Sequence, residues 1–237
     1  ISRGNIFLRI PRSRSVLLFA ALIAATTLFA RWMIVRAERE MRAELLQQAR
    51  LVAQAVSLER IKMLSGTEAD LVSPEYQQLK RQLSAIRSAN PQCRFVYLIG
   101  RRADGSVYFY ADSEPPGSEQ ESPAGQIYEE ISPEYLKAFE LQSEIVEGPI
   151  TDRWGTWVSA LIPLVDPASG KLVSVIGMDI DAKTWKANLA SRAALPLGLM
   201  LVLLIVALSA LSATRCQTAS PKPVLRRLLP PLAALVV

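Results

Sequence analysis

Histidine, the usual general base and a common metal ligand, does not occur among the 237 residues. No imidazole base, histidine metal ligand or phosphate-accepting histidine is therefore available. Cys93 has no base to activate it and reads as a small buried hydrophobe. No glycine-rich phosphate loop occurs, and Glu119, Glu121, Glu129 and Glu130 read as solvated carboxylates on loops or helix surface. No enzyme activity is expected in this stretch. What is left is recognition chemistry. Tyr97, Tyr108, Tyr110 and Trp157, with Ser159 and Asp112 as polar contacts, are of the types that wall a small-molecule cavity. The same aromatics also serve as plain sheet core. Arg101-Arg102, at a hairpin turn, reads as a solvated pair, with carboxylate binding the minority reading.

The elements around these residues follow from where the charges fall. The chain has 27 Lys and Arg against 22 Asp and Glu, a formal net charge of +5. Every acid lies between Glu38 and Asp181. Residues 36–190 hold all 22 acids and 17 of the bases, a net −5, and the flanks hold ten bases and no acid. The basic pI is thus not a nucleic-acid footprint, because the bases flank apolar runs.

Val16 to Ala30 is apolar apart from two threonines, and Trp32 to Val35 extends the run past Arg31, so residues 15–35 are expected to span a membrane. A cleaved signal peptide is the alternative, but Leu28 stands where a small residue would precede the cut. Ala193 to Ala213 is a second span, and a third run opens at Leu228. The tail 1–14 and the loop 214–227 carry bases without acids, which places both in the cytoplasm and residues 36–190 on the far side. Cys93 and Cys216 then lie on opposite sides and cannot pair. The sequence opens on Ile and stops within an apolar run, which suggests a piece of a longer protein.

Between the spans, Arg36 to about Leu64 contains no breaker, with Met41, Leu45, Ala49, Val52 and Val56 forming one stripe. The stripe suits the chain's own core, or a homodimer seam near the membrane. Ser73-Pro74-Glu75 starts a second helix that reaches about Ala89. Strands are expected over Arg94–Gly100 and Ser106–Asp112, joined through Asp104-Gly105. A short helix follows Ser132-Pro133, then come a strand over Glu144–Thr151 ending at Gly148-Pro149, two strands over Trp154–Val165 and Lys171–Asp181, and a helix from Ala182. Hairpin connections between short strands imply an α+β domain, an antiparallel sheet with its helices on one face.

Arg94-Phe95-Val96-Tyr97-Leu98, Asp104-Gly105 and Phe109-Tyr110-Ala111-Asp112-Ser113 resemble the first hairpin of the extracytoplasmic PAS-like (PDC or Cache) sensor domains of bacterial receptors. Asp152-Arg153-Trp154-Gly155-Thr156-Trp157-Val158-Ser159-Ala160, Pro163-Leu164 and Gly177-Met178-Asp179-Ile180-Asp181 resemble their closing strands. The resemblance implies a five-stranded antiparallel sheet backed by the long N-terminal helix, with a ligand pocket on the other face. Strand alternation puts Val175, Gly177 and Asp179 on one face and Ser174, Ile176 and Met178 on the other. The Gly-x-Asp position of the family often contacts a ligand amine, so Asp179 is the first candidate for ligand contact, and Asp181 is better suited to cap the exit helix. Arg153-Trp154-Gly155 does not reproduce the family's Arg-x-Trp-Tyr type motif, so an amino-acid ligand is not supported.

The expected function is the sensing module of a bacterial inner-membrane receptor, N-terminus cytoplasmic, signalling to a histidine kinase or, next, a diguanylate cyclase. Its expected partners are an unidentified small molecule, the bilayer and a second copy of the chain, with no cofactor and no nucleic acid. A membrane-anchored accessory or assembly protein whose middle domain binds another protein is the alternative.

Overall fold

A computed structural model describes residues 12–217. The first eleven residues, the basic loop beyond residue 217 and the apolar run from Leu228 lie outside the described residues. The chain divides into two compact units, Ile34–Arg192 and the segments on either side of it.

Helix α1 runs from Arg12 to Ala55. At 1.5 Å per residue its 44 residues extend roughly 66 Å, about twice the ~30 Å hydrocarbon thickness of a bilayer. Helix α5 runs from Ala182 to Gln217 and tolerates Pro196 within it. Both contain an 18-residue window apolar enough to cross a membrane, with mean hydropathies of 1.9 and 2.5. Three hydroxyls of these helices bond back to their own backbone, Thr26 to the Leu22 carbonyl at 2.7 Å, Thr27 to that of Ile23 at 2.9 Å and Ser212 to that of Leu208 at 2.8 Å.

In the Ile34–Arg192 unit, the apolar stripe of α1 is consumed by the chain's own core. Met41, Leu45 and Ala49 are buried beneath the sheet, and Val56 joins them. The expected helix through Leu64 is interrupted. Ser57 turns extended and its hydroxyl accepts from Arg60 N, restarting a short helix α2 (Leu58–Lys62) that directs Ile61 and Leu64 back into the same core. Helix α3 (Pro74–Ala89) is capped by Ser73, whose hydroxyl accepts from Tyr76 N at 3.1 Å, and has Pro at its first position.

Five strands form one antiparallel sheet: β1 (Cys93–Arg101), β2 (Val107–Asp112), β3 (Ile145–Asp152), β4 (Gly155–Val165) and β5 (Leu172–Asp181). Their spatial order is β2-β1-β5-β4-β3. The fold is the α+β, PAS-like arrangement. Two expectations change. Strand β3 does not end at Gly148-Pro149 but shifts register there and continues to Asp152. Nor do all helices share one face. Val96, Leu98, Ile176 and Met178 meet α1 and α3, but helix α4 (Pro133–Glu140) packs Tyr135, Ala138 and Phe139 on the opposite face with Tyr97, Ile99 and Phe109.

Candidate ligand-binding site

The site is assembled on that opposite face, around β5. Alternation turns Val175, Gly177 and Asp179 toward it and sends Ile176, Met178 and Ile180 to the helix side. Gly177 pairs directly with Tyr97 of β1, and a Cβ at that position would lie 2.2 Å from the tyrosine ring. The missing side chain lets the ring lie across β5. From there the Tyr97 hydroxyl donates to Asp179 Oδ1 at 3.1 Å and pairs with the Tyr135 hydroxyl of α4 at 2.9 Å.

Asp179 is buried and has no cation against it. Burial pushes its pKa up to about 7, the Ser159 and Tyr97 hydroxyls opposing the rise and the Asp152 charge adding to it. Opposite Asp179 in the β4–β5 ladder stands Ser159, whose buried hydroxyl faces the Asp179 carboxyl and the Tyr135 hydroxyl. A buried carboxyl whose pKa is raised toward neutrality, with two hydroxyls around it, marks this as the candidate recognition point.

Two adjoining cavities meet here. The first holds about 340 Å³ of empty space, its open mouth included, between the rings of Phe95, Tyr97, Phe109, Tyr128 and Trp154 and the acids Asp112, Asp152 and Asp179. The second, about 240 Å³ with its open mouth included, is lined by Ser159, Trp157, Tyr135 and Glu130. Tyr128 and Asp152 border both. Asp152 Oδ1 accepts from Trp154 N, Gly155 N and the Trp157 indole at 2.8–3.0 Å, and Oδ2 accepts from the Tyr128 hydroxyl at 3.3 Å. One turn carboxylate thereby fixes two cavity aromatics. Among the described residues, neither Asp152 nor Asp179 has a basic partner, and no Lys or Arg lines either cavity. Arg153 lies over the Trp154 ring and pairs with Glu130.

The sequence-derived candidates divide accordingly. Asp179, Tyr97 and Asp112 line the first cavity, and Trp157 and Ser159 the second. Tyr108 and Tyr110 lie on the helix side of the sheet. Simple alternation would group both with Asp112, but Leu98 pairs with Ala111 and Ile99 with Phe109, leaving Tyr110 as an unpaired bulge residue. The bulge returns Asp112 to the cavity face and keeps Tyr108 against Gly66 and Arg102. Asp181 caps α5, accepting from Lys183 N at 2.8 Å, and Arg101 pairs with Glu140. Cys93 is buried, its thiol pushed up to about 12 by burial. Glu121 is not a solvated acid, because it pairs with buried Lys80 at 2.6 Å. Phe95, Phe109, Tyr128, Trp154 and Asp152 were not among the candidates. The one local signal for Asp152 is its place before a Gly-containing turn, where a carboxylate accepts backbone N–H groups.

No family model and no curated protein matches the chain. Among solved structures, the ligand-binding domain of the Campylobacter jejuni chemoreceptor Tlp3 in complex with L-valine superimposes with a TM-score of 0.49 at 14% identity, over 76% of this chain and 68% of that one. The same receptor's sensory domain with isoleucine bound gives 0.47 at 13% identity, with the same coverage. The ligand-binding domain of the Pseudomonas aeruginosa PAO1 amino acid chemoreceptor PctC, in complex with GABA, gives 0.34 at 21% identity, over 64% and 69%. The chain is similar to chemoreceptor sensory domains.

Proposed function

We propose that residues 34–192 form an extracytoplasmic small-molecule sensor of a membrane receptor and that the ligand is held at Asp179. The observation that carries this is an acid buried at the floor of an aromatic-walled cavity with no cation against it among the described residues and Ser159 opposite it on β4. The walls also set the ligand's charge. Aromatic faces and the carboxyls of Asp152 and Asp179 attract an ammonium group, and with no Lys or Arg in the lining among the described residues nothing offsets the burial of a ligand carboxylate. The preferred ligand is therefore an organic amine rather than an amino acid or an organic acid.

Topology supports the receptor reading. The two apolar helices and the basic, acid-free flanks support a bacterial inner-membrane protein with its N-terminus in the cytoplasm. Because α1 is one unbroken helix from Arg12 to Ala55, a shift of its buried stripe moves residues of the apolar run as well. Two copies in one membrane, signalling to a histidine kinase or next to a diguanylate cyclase, complete the reading. The test is a thermal-shift screen of the full chain in detergent against amines, amino acids and organic acids. A class of amines that raises the melting temperature is expected, because a ligand of the folded state alone stabilises it. A screen in which nothing raises it contradicts the reading.

A further inference from the structure

Lys80 of α3 lies outside the cavity, yet the cavity wall depends on it. Its side chain is only 5% exposed, and its Nζ lies 2.8 Å from Asp112 Oδ1 and 2.6 Å from Glu121 Oε1. Asp112 in turn accepts from the backbone N–H groups of Glu114 and Ser122. Asp112, Gln120 and Ser122 all face the first cavity. One ammonium on the helix layer thus holds the end of β2 and both ends of the segment from Glu114 to Ser122. A second clasp reinforces it, since Glu114 is gripped by Arg87 of α3 and Arg94 of β1, and Arg94 also reaches Gln120.

A buried network of this kind is cooperative. Burial disfavours the Lys80 charge, and its two carboxylate hydrogen bonds outweigh that, so its pKa lies above the ordinary lysine value. Removing the ammonium leaves two acids largely buried without a counter-charge, so the acids and the wall they hold cannot keep their places.

We infer that Lys80 is a positioning residue for the ligand cavity, which holds the Gln120–Ser122 wall from α3 and so couples occupancy of the site to that helix. The coupling rests on the sensor reading, and the holding of the wall does not. Any polar ligand group that reaches Asp112 competes with Lys80 for the same carboxylate, so filling the cavity and loosening α3 are linked.

The test is hydrogen–deuterium exchange on the full chain in detergent, for wild type, Lys80→Met and the triple variant Lys80→Met, Asp112→Asn, Glu121→Gln. The triple variant removes the buried charges together and is expected to melt close to wild type. Exchange over residues 113–125 is nevertheless expected to be at least tenfold faster than wild type in both variants, with β4 and β5 unchanged. That separates positioning from stability. Wild-type exchange over 113–125 in the triple variant would overturn the inference. With 2-phenylethylamine as probe, wild type is expected to show altered exchange over α3 residues 76–87, and the triple variant to bind at least tenfold more weakly with α3 unaltered. Binding that leaves wild-type α3 unchanged would overturn the coupling. Failure of the probe to bind wild type would overturn the coupling to an amine, while the apo exchange decides the role of Lys80 independently.

Discussion

Tyr97 donates a 3.1 Å hydrogen bond to the carboxylate of Asp179, and it reaches that group by lying across Gly177. The bond joins the two central strands at the cavity floor and stabilises the ionised acid. Tyr97→Phe removes it. The expected loss is about 1 kcal/mol of folding stability, and the Asp179 pKa rises further above 7 because the charged form loses its donor. The pH dependence of the melting temperature checks both, its inflection moving to higher pH.

Gly177→Ala tests the geometry rather than the hydrogen bond. The new methyl would meet the Tyr97 ring at 2.2 Å, with the strand backbone unable to withdraw. A destabilisation of about 1–3 kcal/mol is expected from overpacking, and ligand affinity falls with it because the ring leaves Asp179. Chemical denaturation and a ligand titration of the same sample read the two effects.

Asp179 also predicts how stability varies with pH. Its folded pKa is raised from 3.8 to about 7, so the folded state binds the extra proton between those values. Stability from this group is complete below pH 3.8 and is lost as the pH rises through 7. The penalty at alkaline pH is on the order of 4 kcal/mol. Asp179→Asn, which carries no charge, is expected to melt higher than wild type at pH 8 and close to it at pH 4. Parallel thermal melts at the two pH values decide it. A site residue whose neutralisation stabilises the fold is one kept for another purpose.

The elements that could be read directly are those whose signals are local. Ser73-Pro74 and Asn90-Pro91 bracket α3, which spans Pro74–Ala89, and the two-residue period of β5 correctly turns Asp179 away from Ile176 and Met178. What escaped depends on pairing. The bulge at Tyr110 is set by the register of β1 on β2, and it alone sends Tyr108 and Tyr110 to one face and Asp112 to the other. Asp152 escaped for a related reason, since its role appears only when Trp154 N, Gly155 N, the Trp157 indole and the Tyr128 hydroxyl converge on it. Nothing local to α3 marks Lys80, whose partners Asp112 and Glu121 reach it only through the fold.

Orientation can be checked at the β4–β5 turn. Ala168 is exposed there, whereas Cys93 is buried and its thiol, pushed up to about 12, is inert. In a Cys216→Ser background, Ala168→Cys is expected to react with a membrane-impermeant maleimide on intact cells. Labelling only after the membrane is opened would place the domain in the cytoplasm.

The central claim, that the Asp179 cavity binds a cationic small molecule, is tested most directly by calorimetric titration of the full chain at pH 7.5. Three probes of similar shape suffice: 2-phenylethylamine, L-phenylalanine and 3-phenylpropanoate. The amine is predicted to bind wild type at least tenfold more tightly than the two carboxylate-bearing probes, and to lose at least tenfold in affinity in Asp179→Asn. Equal affinity of wild type and Asp179→Asn for the amine, or tighter binding of 3-phenylpropanoate than of the amine, would contradict it.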